Sequence, residues 1–200
     1  MEQEKAVALL QSGDISGLET LVKLYQTQGV KTAALITGDP ELAEDIVQSA
    51  FIRIAEKIHQ FDSLRPFGPW FYRIVANDAV KAAKRRERYL SPNGNSAIEY
   101  DLFIDPLPLP EEQVESDQTR QAVWRALESL PPEQRAAIVL RYYLGMSERE
   151  IAEELDSPVG TIKWRLFTAR NRLEHLLKPI FGFERPKGVS QDEPEEGERK

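Results

Sequence analysis

An all-α fold, two small helical domains joined by an acidic flexible linker, is what this sequence of 200 residues predicts. Three observations carry the expectation. Apolar residues recur at helical spacing from about Ala6 to Tyr89 and again from about Thr119 to Pro179, with no alternating strand pattern between. Residues 91–118 break that periodicity with prolines at 92, 106, 108 and 110, and hold seven acidic groups and no basic one. Lastly, Ser147 to Arg172 sets two helix-start signals ahead of a basic helix. The expected boundaries are therefore 1–90 for the first domain, 91–118 for the linker, 119–180 for the second domain and 181–200 for a disordered polar tail.

Within the first domain the breaks near Gly13, at Gly38-Asp39-Pro40 and over Pro66 to Pro69 leave room for about four helices. The segment from Asp39 to Ile58 opens on an aspartate cap followed by proline, and Glu41, Glu44 and Asp45 complement the positive end of the helix dipole. That complementarity explains the acids more simply than a metal site does. Leu42, Ile46, Val47, Ala50, Phe51, Ile54 and Ile58 cover more than one face, which fits either the centre of a bundle or a protein partner.

The next helix is expected to start near Pro69. Arg73, Asn77, Lys81, Lys84 and Arg88 follow spacings of four and three, so they form one polar stripe, with Arg85 and Arg86 outside it. Phe71, Ile74, Val75 and Ala82 lie on the other side, and from Arg73 to Arg88 six basic residues oppose only Asp78 and Glu87. Phe67, Trp70, Phe71 and Tyr72 adjoin the stripe. Aromatic groups beside a cationic groove are what stacking on unpaired bases requires, although each aromatic taken singly fits a core position better.

The second domain is interrupted at Leu130-Pro131-Pro132 and then reaches its most telling stretch. Ser147 with Glu150 reads as a capping box, Ile151, Ala152 and Leu155 as an apolar edge, and Asp156-Ser157-Pro158 as a tight turn with Ser157 as the next N-cap. Short helix, tight turn and longer basic helix together predict a helix-turn-helix, which makes DNA the first partner to consider. In the longer helix Ile162, Leu166, Ala169 and Leu173 share a buried side, while Gly160, Trp164, Phe167, Thr168 and Asn171 lie opposite. An N-terminus in a major groove would offer Gly160, Thr161, Lys163 and Trp164 to base edges, and the flanking Arg165, Arg170 and Arg172 to phosphates. A solvated helix is the competing reading, and Trp164 is the member that most readily packs instead.

The formal charge of −7 argues against a DNA binder only until it is divided along the chain. Residues 1–90 carry 12 basic and 12 acidic groups, residues 119–180 carry 10 and 8, and the deficit lies in the linker and tail. Phosphate binding follows local charge, not the total. Cysteine is absent, which removes disulfides and thiolate metal ligands. No apolar run reaches membrane-spanning length and the N-terminus lacks a signal-peptide layout, so a cytoplasmic protein without membrane insertion is expected. His59 and His175 lie in different domains with no nucleophile beside them, so neither an enzyme nor a bound cofactor or metal is expected.

On these residues the chain resembles bacterial RNA polymerase sigma factors of the extracytoplasmic-function group, over about residues 15–90 and 119–177. EDIVQSAFIRI (44–54) is similar to the helix that docks on the clamp helices of the polymerase's largest subunit, with Asp45, Gln48 and Phe51 at the motif's typical positions. PWFYRIVANDAVKAAKRR (69–86) resembles the helix that recognises and opens the minus-ten element, and Asn77 stands where the family keeps an asparagine near a flipped base. The stretch from Leu130 to Leu173 resembles the domain that reads the minus-thirty-five element.

The resemblance implies an initiation factor without covalent chemistry, a region 2-like bundle before the linker and a region 4-like helix-turn-helix after it. Core RNA polymerase (clamp helices and flap) and promoter DNA are the implied partners, and an anti-sigma factor is a usual further partner in the family. Implied for the minus-ten side are Trp70, Arg73, Asn77, Lys81, Lys84, Arg85 and Arg88, and for the upstream side Thr161, Lys163, Trp164, Arg165, Thr168 and Arg170. The acidic linker is then expected to run through a basic polymerase channel. Two other readings of the same residues stay open: a stand-alone helix-turn-helix regulator, and an interaction adaptor whose working surface is the broad apolar helix.

Overall fold

The structure, a computed structural model, describes residues 2–89 and 110–182. All regular elements among them are helical. The chain divides into two compact units, Met1–Leu107 and Pro108–Lys200. The expected linker over 91–109 and the tail from 183 onward lie outside the described residues.

Helices α1 (Glu2–Gln11), α2 (Ser16–Thr37), α3 (Pro40–Lys57) and α4 (Phe67–Tyr89) build the first unit, and a single 3-10 turn, Ile58–Gln60, extends α3. The break at Gly38-Asp39-Pro40 works as its residues suggest. Gly38 adopts the left-handed conformation (φ 69°) and donates its N–H to the Ala34 carbonyl, and Asp39 then accepts from the Leu42 N–H at 3.1 Å. Helix α4 begins two residues earlier than expected, at Phe67. Pro69 sits inside the first turn, where the missing N–H would have had no helical partner in any case.

The core of this unit is made where α2, α3 and α4 meet. Ala33, Ala34, Ala43, Ala50, Ala76 and Ala79 are fully buried, and small side chains let the helix backbones come close around Leu21, Ile54, Phe67 and Phe71. Gly29 of α2 faces the Phe71 ring, where an added Cβ would stand 2.8 Å from Cζ and 3.4 Å from a Val47 methyl. Gly29→Ala is therefore expected to overpack this contact and cost about 1–3 kcal/mol. A lower urea midpoint with an unchanged m-value would show it.

The second unit contains α5 (Pro110–Glu128), α6 (Pro132–Ile138), which continues into a π-helical turn over Val139–Tyr143, α7 (Glu148–Glu154) and α8 (Val159–Phe181). Two boundaries differ from expectation because of proline. Helix was expected to resume near Thr119, yet α5 starts at Pro110, and the first position is the one helical place where proline is favoured. Part of the supposed extended linker is therefore helix. Helix α8 likewise runs past Pro179 to Phe181 and closes on Gly182 at φ 61°, whose N–H reaches the Lys178 carbonyl at 2.9 Å.

Leu130, Ala136, Ala137, Leu140, Ile151, Ile162 and Ala169 fill the core of the second unit. Arg135 is buried among them at 4% exposure, and its Nη2 donates to the carbonyls of Glu128 at 2.8 Å and Leu130 at 2.9 Å. A guanidinium thereby occupies the place of a C-cap at the end of α5 and ties it to α6 across the proline corner.

Candidate nucleic-acid interface

Helix α4 carries the first cationic face. Arg73, Lys81, Lys84, Arg85 and Arg88 are exposed, whereas Asn77 is half-buried with its Nδ2 donating to the Arg73 carbonyl at 2.9 Å. Two ion pairs sharpen the charge of this face. Arg53 of α3 holds Asp78 at 2.8 Å, which draws the acid away from the stripe and leaves Lys81 only a distant contact with it at 3.9 Å. Arg86 turns the opposite way. Its guanidinium donates to the Gly38 carbonyl at 3.1 Å and pairs with Asp39 at 3.4 Å, so this cation holds the α2–α3 corner.

The aromatic neighbours separate into two groups. Phe67, Phe71 and Tyr72 are buried, so burial decides for the core at these three positions. Trp70 is half-buried and packs on Phe61 with ring centroids 4.9 Å apart. In the loop before α4, Asp62 organises a tight turn. Its carboxylate accepts the Leu64 N–H at 3.0 Å and its carbonyl accepts the Arg65 N–H at 2.9 Å. Leu64 stands at the tip with 95% of its surface exposed, beside an exposed Arg65. An isolated leucine in a loop has no periodicity to betray it, and the sequence reading passed over this residue.

Helix α3 offers a different surface. Asp45 and Gln48 are exposed on its outer side, where Ile52, four residues on from Gln48, is 61% exposed. Phe51, grouped with Asp45 and Gln48 by motif, points inward instead, 6% exposed with its ring 5.0 Å from Phe71. Phe51 therefore belongs to the core, and the neighbouring Ile52 is the apolar residue exposed beside Asp45 and Gln48. Ile52 lies four residues from Gln48 and seven from Asp45, the spacing that puts all three on one side of the helix.

The helix-turn-helix forms from α7 and α8. The capping box is complete: the Ser147 hydroxyl accepts the Glu150 N–H at 3.2 Å and the Glu150 carboxylate accepts the Ser147 N–H at 2.7 Å. Hydrogen bonding to Ser147, side chain first and backbone second, holds the Glu150 carboxyl below its ordinary range. At the other end α7 closes in a Schellman turn. Asp156 takes the left-handed conformation (φ 46°), the Ser157 N–H reaches the Ala152 carbonyl at 2.9 Å, and the Asp156 N–H reaches that of Glu153 at 3.4 Å.

Ser157 is not the N-cap of α8. Pro158 takes that position in an extended conformation, and its carbonyl accepts the first helical bond from Ile162. The Ser157 hydroxyl instead donates to the Leu155 carbonyl at 3.1 Å and accepts from Arg165 Nη1 at 3.3 Å. Arg165 is thus tied back onto the turn and half-buried, which suits a role in fixing the helix pair.

Ile162, Leu166 and Ala169 bury one side of α8, as their spacing requires, and Leu173 is half-buried on the same side. On the outer side Gly160, Lys163, Arg170 and Asn171 are exposed, and Thr161, Phe167 and Thr168 are half-buried. Trp164 is 52% exposed, so it does not pack into the core. Val159 and Gly160 leave the start of the helix open, with nothing within 4 Å of a Cβ placed at Gly160. Lys163, Trp164 and an unobstructed N-terminal turn together give a donor, an apolar surface and close backbone approach, the combination that reads a groove edge.

Among the described residues no cluster of three or more His, Asp or Glu is placed to hold a metal ion, and no helix is long and apolar enough to cross a membrane.

Residues 21–89 match the family described as Sigma-70 region 2, and residues 120–173 match the one described as Sigma-70, region 4. Over 184 residues the chain is 34% identical to the ECF RNA polymerase sigma-E factor of Escherichia coli, covering 87% of this chain and 93% of that protein. The corresponding factor of Haemophilus influenzae is 31% identical over 187 residues, 90% of this chain and 97% of that protein. The sigma factor RpoE of Bartonella quintana, crystallised with the anti-sigma factor NepR, is similar in structure with a TM-score of 0.59 and 25% identity, over 80% of this chain and 96% of that one. CnrH, solved in complex with the cytosolic domain of CnrY, shares the fold with a TM-score of 0.62 at 24% identity, over 90% and 99% of the two chains. With sequence identity at this level over most of both chains, and with both sigma segments present, this protein belongs to the ECF sigma factors of RNA polymerase.

Proposed function

We propose that this chain is a transcription initiation factor that docks on core RNA polymerase and directs it to promoters. In this reading α4 captures separated bases of the minus-ten element, with Trp70, Arg73, Asn77, Lys81, Lys84, Arg85 and Arg88 along its face. Helix α8 reads duplex DNA at the minus-thirty-five element through Thr161, Lys163, Trp164, Thr168 and Arg170, with Arg165 holding the turn. Asp45, Gln48 and Ile52 on α3 meet the polymerase clamp helices. The polymerase flap is the counterpart of the second unit.

One observation carries this reading: each of the two sigma segments falls on a separate compact unit, and each unit presents an outward cationic helix face. A stand-alone regulator has no use for the face on α4, and an adaptor has no use for either. The test is run-off transcription by core polymerase with and without this chain. Specific starts that appear only with the chain support the reading, and their absence, together with no association with core enzyme, overturns it.

Trp164→Ala is expected to weaken discrimination at the upstream element by about 1–3 kcal/mol per altered base step, with start-site opening on a pre-melted template unchanged. An unaltered upstream footprint would remove α8 from base reading. The crystallised pair of RpoE and NepR motivates one further partner. An anti-sigma protein would compete with polymerase for the Asp45–Ile52 surface, and the site of action is the cytoplasm.

A further inference from the structure

Helix α1 lies ahead of the region 2 match and takes no part in the interfaces described above. Its apolar side, Ala6, Val7 and Leu10, is buried. Gly17 of α2 lets the two backbones approach so closely that a Cβ there would stand 2.2 Å from the Ala6 carbonyl oxygen. From this seat two glutamines reach out, Gln3 to α2 and Gln11 to the corner between α3 and α4. Gln3 accepts a hydrogen bond from the Tyr25 hydroxyl, and the Tyr25 ring packs against Phe67 and Phe71 with centroids 5.2 and 5.3 Å away.

Gln11 makes three hydrogen bonds to one loop. Its Nε2 donates to the carbonyls of Ile58 at 3.3 Å and Phe61 at 3.0 Å, and its Oε1 accepts from the Ser63 hydroxyl at 3.0 Å. Those partners lie 47 to 52 positions away in sequence. They bracket the base of the turn whose tip carries Leu64 and Arg65, and Phe61 at that base is the ring on which Trp70 packs. The loop leads directly into the cationic face of α4, so its tip and Trp70 stand at the entrance to that face.

We propose that α1 is a positioning element for promoter opening. Through Gln11 it holds the loop over residues 58–66 so that Leu64, Arg65 and Trp70 meet the separating strand already in place. Leucine side chains wedge between base steps in proteins that unstack DNA, and such a wedge works only when its loop does not yield. Gln11 itself touches no DNA, and its effect passes through the loop. This proposal rests on the initiation reading above.

The test uses full-length Gln11→Met, which keeps the side-chain length and removes all three hydrogen bonds. Amide exchange without DNA should accelerate about tenfold at Phe61, Leu64 and Arg65, whose N–H groups are bonded within the loop, and stay unchanged across the cores of α2 and α3. With core polymerase, the rate of promoter opening should fall about tenfold while closed-complex affinity holds, and a pre-melted template should restore the wild-type rate. Ser63→Ala, which removes one of the three bonds, should give a smaller effect of the same kind.

Unchanged loop exchange, or faster exchange with normal opening, overturns the proposal. So does acceleration spread through α2 and α3, which would make α1 a support of the whole bundle only. A wild-type chain that opens no promoter would overturn the initiation reading and this proposal with it, and the DNA-free exchange measurement keeps that failure distinct from failure of the brace.

Discussion

Arg135→Ala is expected to lower the melting temperature of the second unit by about 12–24 °C and abolish upstream-element reading, while the transition of the first unit stays in place. The side chain is buried and donates to two carbonyls at the end of α5. Removing it strands both carbonyls, leaves a cavity the size of an arginine stem, and unties α5 from α6. Hydrogen bonds from a charged donor contribute about 1.5–3 kcal/mol each, and an abandoned buried carbonyl costs about 1–3 kcal/mol. Allowing for relaxation, a total of about 3 kcal/mol is reasonable, and in a unit of this size each kcal/mol moves the midpoint by about 4–8 °C. Two resolved transitions in a circular-dichroism melt of the full chain provide the check. Arg135→Lys should fall between wild type and alanine, because an ammonium cannot reproduce the planar fork. An alanine variant that melts like wild type would refute the capping role.

The second large effect concerns salt. Replacing Arg73, Lys84 and Arg88 together by alanine should reduce the slope of log K against log salt for single-stranded minus-ten DNA by about 2. The estimate takes about 0.7 per lost phosphate contact on a single strand. These side chains are exposed on α4, and the changes leave Asp78–Arg53 and Arg86–Asp39 intact, so the fold should survive. Binding of the complex to promoters should weaken most at low salt and converge on wild type as salt rises, and the sequence preference should persist, because phosphate contacts position and base contacts specify. A slope equal to wild type would show that α4 does not follow the backbone.

Much of this could be read from residue order alone, and the parts that could not share a cause. Caps are local devices, so Asp39 and the Ser147–Glu150 box were legible from a few neighbouring letters. Helical periodicity is local too, and it placed the stripe on α4 and the buried side of α8. Partner choice across the fold is not local. Nothing near Arg86 or Arg165 in sequence says that one turns to Asp39 and the other to Ser157, and nothing near Asp78 says that Arg53 will claim it. Phe51 against Ile52 is a question of which neighbour faces Phe71, and the motif alone does not say that Phe51 is the buried one.

Proline misled in a consistent manner. Read as a stop at 110 and as the end of helical periodicity at 179, it stands at the start of α5 and inside α8. Arg135 escaped notice because an arginine followed by two alanines looks like an ordinary helical surface position, and only the proline corner before it folds α5 back to make a cap necessary.

The Schellman turn at Asp156, with the box before α7 and Arg165 clamped on Ser157, leaves α7 and α8 no hinge between them. The pair is preorganised, so engaging a groove should not require an entropic ordering penalty from the protein. Calorimetry of the isolated encounter should accordingly show a heat-capacity change no larger than the contact area itself accounts for, without the excess that accompanies folding on arrival.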